Sequence, residues 1–364
     1  MDENQEPTES EEVRSLVTVR EVTALTPIPG ADFIEAAEVN HGWVCVVKKG
    51  EFQVGSLGVY FEIDSFLPAT DERFKFLERD VRNWKGKDGI KLKTIRLKKQ
   101  LSQGLLMPLS LFPEIQMARV AGALDHSVTM DSVLEADFSE LLGVVKWEAE
   151  IAACLRGMVK GNFPGWIPKT DEPRIQGIFR TIENCKAEFP GQEYEATVKI
   201  DGSSCTMYLN KGEFGVCSRN LDLKFTEGNA FWQMARKYSV EEKLRSLNRN
   251  LAIQGEVFGL GINGNWEGIN YVDFACFKIW DIGEKRFLTP MERLAIVRPL
   301  EIPHVPILSI NIKLEDFATV ADYLAYAEGP SLFNPIREGV VFKSMYTDFS
   351  FKAISNTFLL KKKE

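Results

Sequence analysis

Histidine is scarce in this chain: only His41, His126 and His304 occur in 364 residues, which argues against catalysis by a histidine-based triad. The six cysteines, Cys45, Cys154, Cys185, Cys205, Cys217 and Cys276, include no Cys-x-x-Cys pair. That speaks for reduced thiols in a cytosol or nucleus and against a zinc site. No run of about 18 apolar residues exists, so no membrane span is expected. An excess of base is missing too: 44 Lys and Arg stand against 52 Asp and Glu, a net charge of −8. The sum weakens a nucleic-acid reading, but the distribution of charge matters more. There is no P-loop, no Gly-x-Gly-x-x-Gly after a strand and no His-Glu-x-x-His, so NTPase, Rossmann and zincin readings have no support.

The chain is 45% hydrophobic and 26% charged, enough to build a sizeable core, and its length suits two domains. Residues 1–12 are acidic, lack the apolar segment of a signal peptide and read as a short disordered tail. From Val13 to about Leu111 the pattern is β. Val17–Val22, Ile34–Val39, Trp43–Val47, Val59–Asp64, Gly89–Leu97 and Gly104–Pro108 read as short strands between Gly-rich turns. That suits a Greek-key barrel of the OB type over 13–125. The stretch Lys85–Lys99 is strongly basic, and the Arg82-Asn83-Trp84-Lys85 loop offers an aromatic for stacking on a base. The same alternation also describes the solvated face of a structural barrel. A helical, acidic linker is expected over 126–160 and a second domain over 161–364, giving an α+β chain.

The chemistry gathers after Glu193. In Thr197-Val198-Lys199-Ile200-Asp201-Gly202-Ser203-Ser204, a lysine ends one β run and a Gly-Ser-Ser turn leads into the next. Such a lysine acts as a nucleophile once its ammonium is deprotonated. Asp201 stands close by for a metal or a ribose, and Gly202 lets backbone approach a ligand. Arg219 lies at a strand end. Glu256 and Glu338 each carry a carboxylate into an apolar strand, and Lys343 and Lys352 each carry an ammonium. Unpaired, these charges are costly to bury. Structural salt bridges would account for each one singly; a polyphosphate with a divalent cation accounts for all together. Phe274–Ile282 is a strand whose aromatics suit a core or a stacked base. Lys169–Gln176 is a polar turn opening a helix, where Lys169 and Arg174 suit either triphosphate oxygens or a solvated cap.

The ordered set resembles the covalent nucleotidyltransferases, the superfamily of ATP-dependent RNA and DNA ligases and mRNA-capping enzymes. Lys199-Ile200-Asp201-Gly202 resembles the nucleophile motif, followed by Ser218-Arg219-Asn220, Gly255-Glu256-Val257-Phe258-Gly259, Phe277–Ile282, Glu338–Lys343 and Phe351-Lys352. Six motifs in order, over roughly 195–355, are far more specific than any one. Gly259, Gly261 and Ser355-Asn356-Thr357-Phe358 are similar to nick-sealing RNA ligases. A β domain in front, with no OB domain evident after the fifth motif, looks like the Deinococcus-type RNA ligases. Where many relatives have Lys-x-Lys in that motif, this chain has Ser350-Phe351-Lys352, so Lys343 or Lys361 is expected to complete the charge.

The resemblance implies an antiparallel-sheet adenylyltransferase domain, unrelated to ATP-grasp, and an ATP-dependent RNA ligase. Lys199 takes AMP from ATP, the AMP passes to a 5′-phosphate end, and a 3′-hydroxyl displaces it. Arg174, Val198, Arg219, Glu256, Phe277, Lys343 and Lys352 are then the ATP-binding residues. Lys343 and Lys352 are assigned to the α-phosphate, Phe277 to stacking on adenine, Arg219 and Glu256 to the ribose, and Arg174 to the β/γ-phosphates. Asp201, Glu256 and Glu338 hold Mg²⁺ or Mn²⁺ through water. The expected partner is nucleic acid with an RNA 3′-hydroxyl and a 5′-phosphate, at a nick, for an intracellular monomer in repair. A DNA ligase, a GTP-dependent guanylyltransferase and a non-catalytic OB-fold RNA-binding protein are the alternatives.

Overall fold

The computed structural model describes residues 15–40, 42–124, 136–147 and 158–362. The acidic tail and most of the expected linker lie outside them. The chain divides into two units, residues 1–150 and 151–364.

In the first unit the strands are β1 Val17–Pro27, β2 Ile34–Val39, β3 Trp43–Lys48, β4 Leu57–Phe61, β5 Ser65–Pro68, β6 Val81–Trp84, β7 Lys87–Lys91, β8 Thr94–Leu97, β9 Gln100–Gln103, β10 Leu105–Pro108 and β11 Val145–Lys146, with helix α1 Pro113–Leu124. One sheet runs β10-β4-β1-β2-β3, a second β11-β5-β7-β6, and β8-β9 form a hairpin. Strand β1 is long enough to pair with both β4 and β2, and its register shifts between Val22 and Ala24. A bulge there bends the strand and lets one sheet curl, as a small barrel requires. Two clusters fill the interior: Val17, Val19, Val59, Phe61 and Phe112 in one, and Val22, Val39, Trp43 and Tyr60 in the other.

Three expectations change here. Gly89–Leu97 is two strands, β7 and β8, because Leu92 turns inward (9% exposed) and interrupts the run. Arg82–Lys85 is mostly strand, and Trp84 is no stacking platform: it is buried at 5.0 Å from Phe66 and 6.5 Å from Trp147. Residues 136–147, the larger described part of the 126–160 span, are not helical. Val145–Lys146 pairs with β5, and the Phe138 amide donates to the Val17 carbonyl. Its apolar residues Phe138, Leu142 and Val144 are core of the first unit.

In the second unit the strands are β12 Val159–Asn162, β13 Glu193–Lys199, β14 Ser203–Asn210, β15 Glu213–Cys217, β16 Leu221–Leu223, β17 Leu251–Gly259, β18 Val272–Asp281, β19 Arg286–Phe287, β20 Ile307–Lys313, β21 Gly339–Ser344 and β22 Ser350–Ile354. The helices are α2 Ile175–Glu188, α3 Ala230–Lys237, α4 Val240–Ser246, α5 Pro290–Val297, α6 Val320–Tyr326 and α7 Asn356–Lys361. A seven-stranded sheet runs β12-β16-β15-β14-β17-β18-β19, and a four-stranded sheet runs β20-β13-β21-β22. All their pairings are antiparallel.

Period-two alternation assigns the faces of the four-stranded sheet. Tyr194, Ala196, Val340, Phe342, Phe351 and Ala353 point one way and pack with Ile175, Ile182, Val320 and Tyr323 of α2 and α6. Phe342 stacks on Phe351 at 4.9 Å. The other face is left to Glu195, Thr197, Lys199, Lys343, Ser350 and Lys352. In the seven-stranded sheet, Met207, Ile253, Val257, Phe274 and Ile279 build the core over α3, α4 and α5, so Gln254 and Glu256 take the opposite face.

Candidate active site

Register brings the charged residues together. Lys199, the last residue of β13, stands opposite Gly339, the first of β21, so Glu338 lies beside it. The Lys199 Nζ donates to Glu338 Oε2 at 2.7 Å. In the neighbouring sheet Ser204 of β14 stands opposite Glu256 of β17. The Gly202 turn that joins the sheets has no room for a side chain: a Cβ there would come 2.3 Å from the Val257 carbonyl oxygen and 2.9 Å from Glu256 Cγ. Gly202 therefore lets the lysine strand lie against the glutamate strand.

The electrostatics follow from that crowding. Burial works against the Lys199 ammonium, but Glu338, then Glu256 and Asp201, overcome it and hold the lysine above its usual range. Free of ligand, the lysine keeps its proton. Burial, with repulsion from Glu338 and Asp201, pushes Glu256 up to about 8. Burial and Glu338 also raise Asp201, against the opposing pull of Lys362. Lys352 is pushed down to about 8 by burial and by the charges of Lys199 and Arg174, and Lys343 to about 8 by burial and Arg293.

Most of the expected residues converge. Lys343 is buried, with its Nζ 6.0 Å from the centre of the Phe277 ring. Arg174 forms a parallel bridge with Lys352, whose amide donates to the Pro173 carbonyl. Arg174 is also the N-cap of α2, at the helix start expected there. Val198 is core, packed with Ile200, Phe258, Ala275 and Val305, and its amide donates to the Pro306 carbonyl. Arg219 is exposed and bonds both oxygens of Asp171, at 2.9 and 3.0 Å. Phe277 is aimed by a shift of register: Gln254 pairs with Lys278 and Gly255 with Cys276, so Phe277 has no partner in β17. That bulge turns Phe277 and Lys278, consecutive in sequence, to the same face.

One expectation about the lysines changes. Lys361 is exposed on α7; Lys362 is the tail lysine that reaches the site, pairing with Asp201 Oδ1. Asn263 Nδ2 donates to the same oxygen at 3.0 Å. Ser350 contributes no charge in place of a lysine. Its hydroxyl donates to Glu172, and Lys278 Nζ stands 3.2 Å from both Ser350 Oγ and Glu172 Oε1. Glu172, Lys278, Asn263, Lys362 and the buried pair Glu195–Arg293 were missed as site residues. Glu195 and Lys278 had a visible signal, a charge inside an apolar strand.

The fit to a divalent cation rests on Asp201. Its Oδ2 is buried and has no hydrogen-bond partner among the described residues, while Glu256 and Glu338 bring two further carboxyl groups nearby. Among those residues no group of three His, Cys, Asp or Glu side chains forms a direct cation cage. The donor set thus suits a cation that keeps part of its water shell.

An OB-fold domain family matches residues 16–109, and the RNA ligase family matches residues 192–354. Among curated proteins no sequence match was found. Among solved structures, an RNA ligase of Naegleria gruberi is 43% identical over 96% of this chain and 99% of that one, with a TM-score of 0.80. This chain belongs to the RNA ligase family. That neighbour is a Glu-to-Ala mutant with AMP and Mn. The RNA ligase from the same organism with PPi is 44% identical, with 96% and 99% coverage and a TM-score of 0.78. A further mutant with ATP and Mn is 44% identical, with 96% and 100% coverage and a TM-score of 0.78. The α+β architecture, an OB-fold domain followed by a sheet-rich ligase domain, is that of this family. In this ligase the polar faces of the two sheets meet where Lys199, Glu256, Phe277 and Lys343 lie.

Proposed function

We propose that this ATP-dependent RNA ligase joins a 3′-hydroxyl RNA end to a 5′-phosphate end at nicks, with Lys199 as its nucleophile. The observation that carries the assignment is the Lys199–Glu338 contact at 2.7 Å, on the sheet face that also presents Lys343 and Lys352. Among the Naegleria gruberi structures are mutants in a lysine and in an aspartate two positions after it, the separation of Lys199 and Asp201. Other structures of that ligase hold ATP or AMP with Mn, which supports the same nucleotide and a divalent cation here.

In the first step the deprotonated Lys199 Nζ attacks the α-phosphorus of ATP. An N–P bond forms, the bond to the bridging oxygen breaks, and pyrophosphate leaves. Lys343, which is buried, and Lys352, half-buried beside Arg174, counter the charge on the nonbridging oxygens, so little reorganisation is needed. Phe277 stacks on adenine, Arg219 and Glu256 take the ribose once Arg219 leaves Asp171, and Arg174 meets the leaving phosphates beside Lys352. Asp201, Glu256 and Glu338 would hold the cation, which supplies positive charge that competes with Lys199 for the carboxylates and favours loss of its proton. AMP then passes to the 5′-phosphate, and the 3′-hydroxyl displaces it.

The substrate assignment draws on the first unit, where Lys93, Arg96, Lys98 and Lys99 are exposed in and around the β8–β9 hairpin. A cationic ribbon of this kind contacts phosphates without reading sequence. A monomer acting in the cytosol or nucleus remains part of the reading; no helix among the described residues is long and apolar enough to cross a membrane. The test is incubation with α-labelled ATP or GTP and Mg²⁺ or Mn²⁺, followed by peptide mapping. Label from ATP on Lys199 and sealing of a nicked RNA duplex are expected. Label from GTP would redirect the reading to capping chemistry.

A further inference from the structure

Behind Lys343 lies a buried charge array that the reaction does not use directly. Glu195 and Arg293 are both fully enclosed, and one Arg293 Nη2 meets both Glu195 oxygens at 2.6 Å. Arg293 Nε donates to His304 Nε2 at 2.9 Å, and His304 Nδ1 lies 2.5 Å from the Val305 carbonyl. His304 is therefore neutral, with its proton on Nδ1. Burial and the Arg293 charge hold it in that form, down to about 3.

On its open side Glu195 faces Lys343. The two stand opposite each other across β13 and β21, with Nζ 4.0 Å from Glu195 Oε2 and 3.4 Å from Thr197 Oγ1. One carboxylate is thus shared by two cations, and Arg293 holds it more closely. Glu172 and Lys278, the other charges that act on Lys343, are themselves paired at 3.2 Å. The array of Glu195, Arg293 and Lys343 carries one surplus positive charge out of water. An anion arriving above Lys343 completes its neutralisation.

We propose that Glu195, fixed from behind by Arg293 and His304, is a positioning residue that holds the Lys343 ammonium in place and in its charged form for capture of the nucleotide phosphates. This rests on the reading that Lys343 faces the α-phosphate. Without the carboxylate, Lys343 would face Arg293 with nothing between them. It would surrender its proton at lower pH, because an opposite charge within about 4–6 Å is worth about one unit or more.

The test follows Lys199 adenylylation in the full chain against ATP concentration, at about pH 6.5 and about pH 8.5. Glu195→Gln is expected to raise the half-saturating ATP about tenfold at the higher pH, and by less at the lower, where Lys343 is protonated. Glu195→Asp, which keeps the charge, is expected to recover most of the loss. A ratio to wild type that stays the same at both pH values would overturn the proposal, since a merely structural loss has no reason to follow the Lys343 proton. Should Glu195→Gln fail to fold, Glu195→Gln with Arg293→Met removes both buried charges together. Arg293→Met alone is the reference for that double variant: a higher ATP requirement at about pH 8.5 in the double variant than in Arg293→Met supports the proposal, and equal saturation overturns it. Lys343→Met separates the layers. Labelling lost there but normal in the Glu195 variants sinks the positioning role alone, whereas labelling retained in Lys343→Met sinks the phosphate reading beneath it.

Discussion

Glu338 holds the Lys199 ammonium at 2.7 Å, and the antiparallel pairing of Lys199 with Gly339 sets that contact. As the proposed nucleophile, Lys199 is therefore stored in its protonated form, and its activation means taking the carboxylate away from it. Lys199→Ala is expected to abolish nucleotide labelling while the thermal midpoint moves little, since the side chain is not part of the apolar core. Glu338→Ala is expected to lower labelling by about tenfold or more at saturating ATP, because it removes one of the three carboxylates proposed to hold the divalent cation. Labelling retained in Lys199→Ala would sink the assignment.

Phe277 reaches its place through the bulge opposite Gln254 and Gly255. If it stacks on adenine, Phe277→Ala costs about 1–3 kcal/mol of nucleotide binding, and Phe277→Trp restores most of it. Titration of ATP into the full chain, read by calorimetry, checks this. Equal affinity in wild type and the Ala variant would return Phe277 to the core.

Acid should weaken the fold through His304. Its folded-state value of about 3 lies below the ordinary 6.5. The unfolded chain therefore binds the extra proton between these two pH values. The contribution of His304 is intact above about 6.5 and is lost as pH falls toward about 3, by at most about 5 kcal/mol. Urea midpoints for wild type and His304→Gln, compared from neutral to about pH 5, should converge as the pH drops. Parallel curves would show that His304 is not held neutral.

The β8–β9 hairpin offers a separate measurement. Reversing the charges of Lys93, Arg96, Lys98 and Lys99 to glutamate is expected to weaken binding of a nicked RNA duplex. It should also flatten the salt dependence by about 0.9 per lost phosphate contact. Lys199 labelling should be untouched, because it needs no RNA. An unchanged salt slope would place the RNA elsewhere.

Much of the ligase domain could be read in the linear order. The strands at Leu251–Gly259 and Phe274–Ile282 lie within a residue or two of their observed ends. Lys199, Glu256, Glu338, Lys343 and Lys352 stood out because a charge inside an apolar run is costly unless something compensates it. Ser350 announced a missing lysine, but nothing in the chain said that Lys278 and Glu172 would fill that corner, since they are 106 residues apart. Trp84 misled for a similar reason: an aromatic in a basic stretch looks the same whether Phe66 covers it or water does.

Alternation and the order of the motifs were enough to place the charged faces, the RNA ligase resemblance and an OB-type barrel ahead of the ligase domain in the chain. These are local properties, set by side-chain period and by the chemistry of single residues. Which charges meet was decided only in three dimensions. Register across β13 and β21 gave Lys199 to Glu338 and Lys343 to Glu195. A one-residue bulge gave Phe277 and Lys278 a common face, and the docking of α7 brought Lys362, not Lys361, to Asp201. Pairing energies depend on distances of a few ångströms between residues far apart in the chain, and such distances exist only after the sheets have formed.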